Sequence, residues 1–239
     1  VTDMGPATLY TALAAGGWAA NTQDAGIWSK TQDATGWTQL AADFDNDGWI
    51  DLYTAQSLVA QKGKLIQAIS SKGPKAFLEP GFDVLHRNFN GVLQPIPIAW
   101  PPGVEVDIQP TPVAAADLDG DGDLDLATIA AGGRFRLLRN QTPDGHWLTV
   151  VLKPTTRALG GLGVRVQFWA TGRVQEREVQ WSAGSFASGE ATQHVGLGKV
   201  AKLDHVIVWW PSGKAQVLNG VQADGKLVLD EANAKLPGK

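Results

Sequence analysis

The strongest constraint on this chain is a nine-residue window that occurs twice. Residues 43–51 read Asp43-Phe44-Asp45-Asn46-Asp47-Gly48-Trp49-Ile50-Asp51, and residues 117–125 read Asp117-Leu118-Asp119-Gly120-Asp121-Gly122-Asp123-Leu124-Asp125. In both, carboxylates hold positions 1, 3, 5 and 9, and a glycine at position 6 lets the chain turn back on itself. Carboxylates crowded so closely repel one another unless a hard, oxygen-seeking cation sits between them. Calcium is the natural candidate, and a second copy argues against a merely solvated acidic turn.

The spacing selects among calcium loops. An EF-hand opens in the same way but closes with a bidentate Glu at position 12, and dockerin-type loops also place a carboxylate there. Position 12 here is Thr54 in the first window and Thr128 in the second. Closure at position 9, between flanks that read as strands, points to the loop of a β-propeller blade. The expected ligands are side-chain oxygens of Asp43, Asp45, Asp47 and Asp51 with the carbonyl of Trp49. In the second site they are Asp117, Asp119, Asp121 and Asp125 with the carbonyl of Asp123, whose side chain is expected to face solvent. Two Ca2+ ions held this way are structural, because metal binding becomes folding energy and no position is reserved for substrate.

Around these windows the chain divides into an all-β array and a second all-β unit. Residues 7–15 suggest a short helix ended by Gly16-Gly17. Residues 65–69 suit a strand or an inserted helix, and the prolines at 95, 97, 101, 102 and 110 forbid a long helix after them. Each window is followed by a strand and an Arg-Asn phrase, Arg87-Asn88 and Arg139-Asn140, and the first phrase runs into an Asn90-Gly91 turn. Strand-built repeats of ~40–50 residues indicate propeller blades or a related array. From residue 147 the texture changes. Five strand-like runs, at 147–152, 163–169, 174–180, 205–210 and 226–229, are punctuated by Gly160-Gly161, Thr171-Gly172, Pro211-Ser212-Gly213 and Asn219-Gly220 as turns. The divisions are therefore 1–140, 141–232 as a small sandwich or barrel, and a frayed tail over 233–239.

Composition limits the function classes. A net charge of -4 lacks the basic face that nucleic-acid binding requires. With no cysteine there are no disulfides, thiolate metal sites or cysteine nucleophiles. No apolar run reaches the ~20 residues of a membrane helix. Val1-Thr2-Asp3-Met4 does not read as a signal peptide, so the chain is expected to begin inside a processed or truncated protein. Ten tryptophans serve as core filler or as contact surface.

Several phrases carry a resemblance. They are the two acidic windows together with Gly145-His146-Trp147-Leu148, Gly161-Leu162-Gly163-Val164-Arg165-Val166, His194-Val195-Gly196-Leu197-Gly198 and Val208-Trp209-Trp210-Pro211-Ser212-Gly213-Lys214. The windows resemble those of FG-GAP or VCBS repeats, the calcium-bearing blades of integrin-like propellers. The second unit resembles the ASPIC/UnbV domain that follows such repeats in the cartilage acidic protein family and in many exported bacterial proteins. This implies a partial β-propeller-like array followed by a β-sandwich or barrel, in an extracytoplasmic, secreted or surface protein of bacterial type associated with adhesion and assembly. A closed propeller needs at least four blades, more than residues 1–140 supply. The open side is therefore expected to pack against the second unit, another copy of the chain or a different subunit.

Catalytic motifs are missing from the sequence. Ser185 and Ser188 lie in a flexible turn with no Gly-x-Ser-x-Gly elbow, and His86, His146, His194 and His205 are scattered and suit packing or strand edges. Glu176 and Glu178 alternate with Arg177 as on a solvated strand face. The expectation is a non-catalytic, calcium-stabilised module for protein–protein contact or surface assembly. One alternative is a carbohydrate-binding module using Trp18, Trp28, Trp37 or Trp100. The other is an accessory subunit docking on an enzyme or electron-transfer complex.

Overall fold

The computed structural model describes residues 10–12, 15–20, 34–58, 83–96, 98, 110–130, 135–142, 145–155, 160–180, 182–184, 187–188 and 192–236. Among them the fold is all-β, with one short 3-10 turn at Glu231–Asn233. The helix expected over 7–15 is corrected: β1 (Tyr10–Ala12) pairs antiparallel with β2 (Trp18–Ala20). Gly16 and Gly17, at φ 89° and 88°, reverse the chain between them in a conformation that side chains resist.

The first acidic window joins β3 (Ala34–Ala42) to β4 (Asp51–Leu58), and β5 (Val84–Phe89) and β6 (Val92–Ile96) complete a four-stranded antiparallel meander. Asn90 and Gly91, both at positive φ, make the hairpin turn between β5 and β6. Pro95 is tolerated because β6 is the outermost strand of this sheet. The second window joins β7 (Pro110–Ala116) to β8 (Asp125–Ala130), with β9 (Phe135–Leu138) as the third strand. The two sheets, called the first and second blade below, pack on one another. Leu40, Tyr53, Ala55 and Phe44 of the first pack with Val113, Leu124 and Leu126 of the second in one buried cluster. The stretch 65–69 lies outside the described residues.

The C-terminal unit is a sandwich. One sheet has the order β15 (Thr192–Gly198), β10 (His146–Lys153), β18 (Gly225–Asp230), with β10 and β18 parallel. The other has the order β12 (Arg173–Glu178), β11 (Arg165–Ala170), β16 (Lys202–Trp209), β17 (Ala215–Gln222). Alternate residues of both sheets fill the space between them, among them Leu148, Val150, Val166, Phe168, Val195, Val206, Val208 and Leu229. All five strand-like runs of this unit are strands. The turn expected at Asn219-Gly220 is corrected, since both residues lie within β17 and Asn219 pairs with His205. The reversal falls instead between β17 and β18, where Asp224 has φ 59°.

Two further expectations change. The serine-bearing loop is flanked by a small hairpin, β13 (Ser182–Gly184) and β14 (Ala187–Ser188), which reaches from the sandwich to β3 and β7 of the blades. The tail is docked rather than frayed through Leu236. Glu231 is buried and accepts from Thr155 N (2.6 Å) and Thr155 Oγ1 (2.7 Å), Lys235 exchanges two backbone bonds with Ala215, and Ala234 enters the core.

Candidate metal centre

The two acidic windows share a hydrogen-bond scheme that differs in one bond at position 1. At position 1, Asp43 accepts from Asp47 N (3.1 Å) and Gly48 N (2.9 Å), and Asp117 accepts from Gly120 N (2.8 Å) and Gly122 N (3.2 Å). At position 3, Asp45 and Asp119 each accept from the amide two residues on, at 3.3 Å. At position 5, Asp47 accepts from Trp49 N and Asp121 from Asp123 N. At position 9, Asp51 takes Phe44 N and Asn88 N, while Asp125 takes Leu118 N and Asn140 N. The second phrase of the repeat thereby acquires its reason. Asn88 and Asn140 each fasten the closing aspartate with the backbone amide, and their side chains bond the carbonyls of Ile50 and Leu124. The preceding arginines face positions 3 and 5: Arg87 pairs with Asp45 and Asp47, and Arg139 with Asp119 and Asp121.

This scheme gathers three carboxylates in each loop. One oxygen each from Asp43, Asp45 and Asp51 lies within 4.8 Å of the others, as do oxygens of Asp117, Asp119 and Asp121. Asp47 and Asp125, both expected as ligands, fall outside those clusters. Trp49 and Asp123, expected to offer carbonyls, sit in the same turns with their amides already donated.

The electrostatics differ between the loops. Burial, followed by the neighbouring carboxylates, pushes Asp43 up to about 7, and burial pushes Asp51 up to about 6. Asp45 is raised by the same causes, with Arg87 pulling against them through its ion pair to the buried Oδ2. Asp121 is lowered, chiefly by the bond from Asp123 N. A buried, all-oxygen set whose members resist ionisation together fits a hard divalent cation, which removes the repulsion. Asp43, Asp45 and Asp51 would hold it in the first loop, and Asp117, Asp119 and Asp121 in the second.

The residues missed in the sequence are those that dock the loops. Asn46, at position 4 with φ 57°, is buried and touches three parts of the chain. Its Nδ2 donates to Gly122 O (3.1 Å) and Asp123 Oδ1 (2.9 Å) in the other loop, and its Oδ1 accepts from His194 Nε2 (2.8 Å) in β15. Its carbonyl also accepts from Gly198 N (2.7 Å). The Asp123 side chain, expected in solvent, is thus engaged, and burial first, then the nearby carboxylates, raises it to about 6. Burial, with Arg177 nearby, lowers His194 to about 4, so it is neutral and its Nε2 carries the proton given to Asn46.

The sandwich is shaped for this contact. In β15, Val195 and Leu197 point into the core while His194, Gly196 and Gly198 face outward. A Cβ on Gly196 would stand 2.1 Å from Asp43 Oδ2 and 2.5 Å from Asn46 Cα, so only glycine admits the loop. Gln175 donates to Gly196 O (2.8 Å), the Arg173 guanidinium lies 4.7 Å from the centre of the Trp49 ring, and Arg177 is close enough to Asp43 to feel its charge. Glu176 and Glu178 are exposed as expected, but Arg177 between them is not. The first acidic loop is consequently sealed between two blades and a sandwich.

Of the tryptophans proposed for sugar stacking, Trp18 is exposed (71 %). Trp28, Trp100 and the side chain of Trp37 lie outside the described residues. No described helix is long and apolar enough to cross a membrane.

No curated protein matches the chain. Among protein families, the FG-GAP repeat is matched by residues 112–145, the second blade and its exit, and ASPIC and UnbV is matched by residues 155–236. The first blade, outside the matched ranges, repeats the hydrogen-bond scheme of the second at positions 3, 5 and 9 and in one of the two bonds at position 1. The chain therefore joins an FG-GAP repeat to a C-terminal ASPIC and UnbV domain.

Proposed function

We propose that the chain is a non-catalytic, extracytoplasmic module for protein–protein contact, braced by two calcium ions. The carrying observation is the sealed first loop, where Asp43, Asp45 and Asp51 converge in a buried junction. Arg87 and the distant charge of Arg177 leave that cluster of carboxylates under-compensated, and a divalent cation supplies the balance. Binding then stabilises blade and sandwich together, because the ligands and the docking residue Asn46 belong to one turn. FG-GAP repeats and ASPIC and UnbV domains suggest an extracellular-type interaction module, which supports the same reading.

An apolar exposed face on the second blade favours a protein partner over a glycan, in keeping with an accessory or assembly role. Thermal unfolding with calcium and with chelator tests the calcium reading. Ions at a hundredfold excess over their dissociation constants contribute about 2.7 kcal/mol per site, so chelation is expected to lower Tm by roughly 5–10 °C or more. An unchanged Tm, with Asp45→Ala and Asp119→Ala both silent, would sink it.

A further inference from the structure

Each acidic window has an arginine seated on it, and the two arrive over connections of different length. Arg87 belongs to β5, paired with β4, and Arg139 follows β9, paired with β8, although β5 lies much farther along the chain from its window than β9 does. The amide of the next residue, Asn88 or Asn140, is tied to the closing aspartate, which delivers the guanidinium to the same place in both loops. Arg87 Nε pairs with Asp45 Oδ2, and its Nη2 stands 4.0 Å from Asp47 Oδ2. Arg139 Nε pairs with Asp119 Oδ2, and its Nη2 stands 3.4 Å from Asp121 Oδ2. Asp45 and Asp119 are therefore claimed twice, since each also belongs to the carboxylate cluster of its loop. The other oxygen of each, Oδ1, is held by the amide two residues on, and that bond fixes the aim of the carboxylate without the arginine. What the arginine adds is charge.

We propose that Arg87 and Arg139 are tethered counter-ions, which hold the third-position aspartates of an empty loop, compete with calcium for them and so set the affinity of the two sites. The proposal rests on the calcium reading above and adds what tunes it. In the empty loop, a guanidinium beside four carboxylates offsets part of their mutual repulsion. Once a divalent ion shares Asp45 or Asp119, the same positive charge repels the ion, and a unit charge at that range is worth about tenfold in affinity even at the dielectric of water. A loop stripped of its arginine is then a tighter calcium site and, when empty, a less stable turn. The two loops are tuned unequally. The Arg87 side chain is 34 % exposed and its guanidinium lies 5.0 Å from the centre of the Phe89 ring, whose face keeps the charge beside the loop. The Arg139 side chain is 60 % exposed, so solvent and salt screen it more.

Calorimetric titration of the full chain with calcium, combined with melting in calcium and in chelator, tests this. Arg87→Gln is expected to tighten calcium binding by about tenfold and Arg139→Gln by about threefold, the second difference shrinking as salt is raised. Each variant is expected to lose more Tm in chelator than in saturating calcium, because the tighter site recovers part of the loss. Arg87→Lys keeps the charge and is expected to bind calcium within about twofold of the wild type. Unchanged or weaker binding in either glutamine variant overturns the proposal, as does a lysine variant that binds as tightly as Arg87→Gln. A Tm loss of the same size in calcium and in chelator also overturns it, since a purely structural arginine gives that result. The Arg139 side chain is largely exposed, so its variant decides the question even where Arg87→Gln fails to fold. A wild-type chain that takes up no calcium overturns the calcium reading together with the proposal, whereas calcium uptake without tightening overturns the proposal alone.

Discussion

The two acidic loops have the same backbone plan and opposite surroundings. Positions 1, 3, 5 and 9 are aspartate in both, and their backbone bonds are equivalent except that Asp43 takes the amide of position 5 where Asp117 takes that of position 4. What separates them are the positions between. Position 2 is Phe44 in the interblade core but Leu118 at the surface, and position 4 is Asn46 at a three-way junction but Gly120 in the open. The carboxylates fix the turn, and the intervening residues decide what the turn docks on. Burial follows, and with it the rise of Asp43 and Asp51.

The largest contrast is expected between a glycine at the junction and one in the open. Gly196→Val drives a side chain into Asp43 and the Asn46 backbone, neither of which can yield without opening the junction, and should cost about 3 kcal/mol or more. Gly120→Ala, at a position where a Cβ meets nothing within 4 Å, carries only its strain at φ 83°, about 1 kcal/mol. Urea unfolding of the two variants in calcium measures the difference, and equal costs would mean that the first loop is not sealed.

Next comes the paired ligand substitution. Asp43→Ala removes the acceptor of two amides in a buried turn, whereas Asp117→Ala does so where water can replace it. Losses of about 3 and about 1 kcal/mol are expected, read from melting in saturating calcium. A reversed order would break the comparison.

Protonation sharpens it without any mutation. Asp43 and Asp51 sit above the ordinary carboxylate value, so the metal-free fold binds protons that the unfolded chain releases, and its stability falls as pH rises from about 4 to 7. In chelator, stability is expected to increase by about 2 kcal/mol between pH 8 and 5.5, chiefly through Asp43. In calcium the slope is expected to reverse, because protons then compete with the ion. Melting at both pH values with and without chelator decides this, and parallel curves would count against a metal at the first loop.

Much of this was legible in the sequence because it depends on local rules. The aspartate spacing, the Asn90-Gly91 turn and the alternation in β10, β11 and β16 are each written within a few residues. The misreadings occurred where long-range contact overrides such rules. Asn219-Gly220 has the chemistry of a turn, yet β16 holds it in a strand. In β15, Gly196 and Gly198 interrupt the apolar alternation because a loop from far earlier in the chain needs the space that their side chains would fill. Asn46 carries no local signal at all that His194 is its partner.

The smallest expected effects come from exchanging position 4 between the loops. Asn46→Gly gives the first loop the backbone freedom it needs at φ 57°, but strips His194 Nε2 and Gly122 O of their partners inside the junction. A net loss of about 1–2 kcal/mol is expected. Gly120→Asn places a residue that tolerates positive φ where a Cβ meets nothing within 4 Å, so a change within about 0.5 kcal/mol is expected. The titration of His194 separates this from a general loosening. In the wild type its pKa lies well below the usual imidazole value, and opening the junction by Asn46→Gly hydrates the ring and moves it upward, while Gly120→Asn leaves it in place. If NMR titration finds His194 equally shifted in both variants, Asn46 is not the residue that couples the first loop to the sandwich.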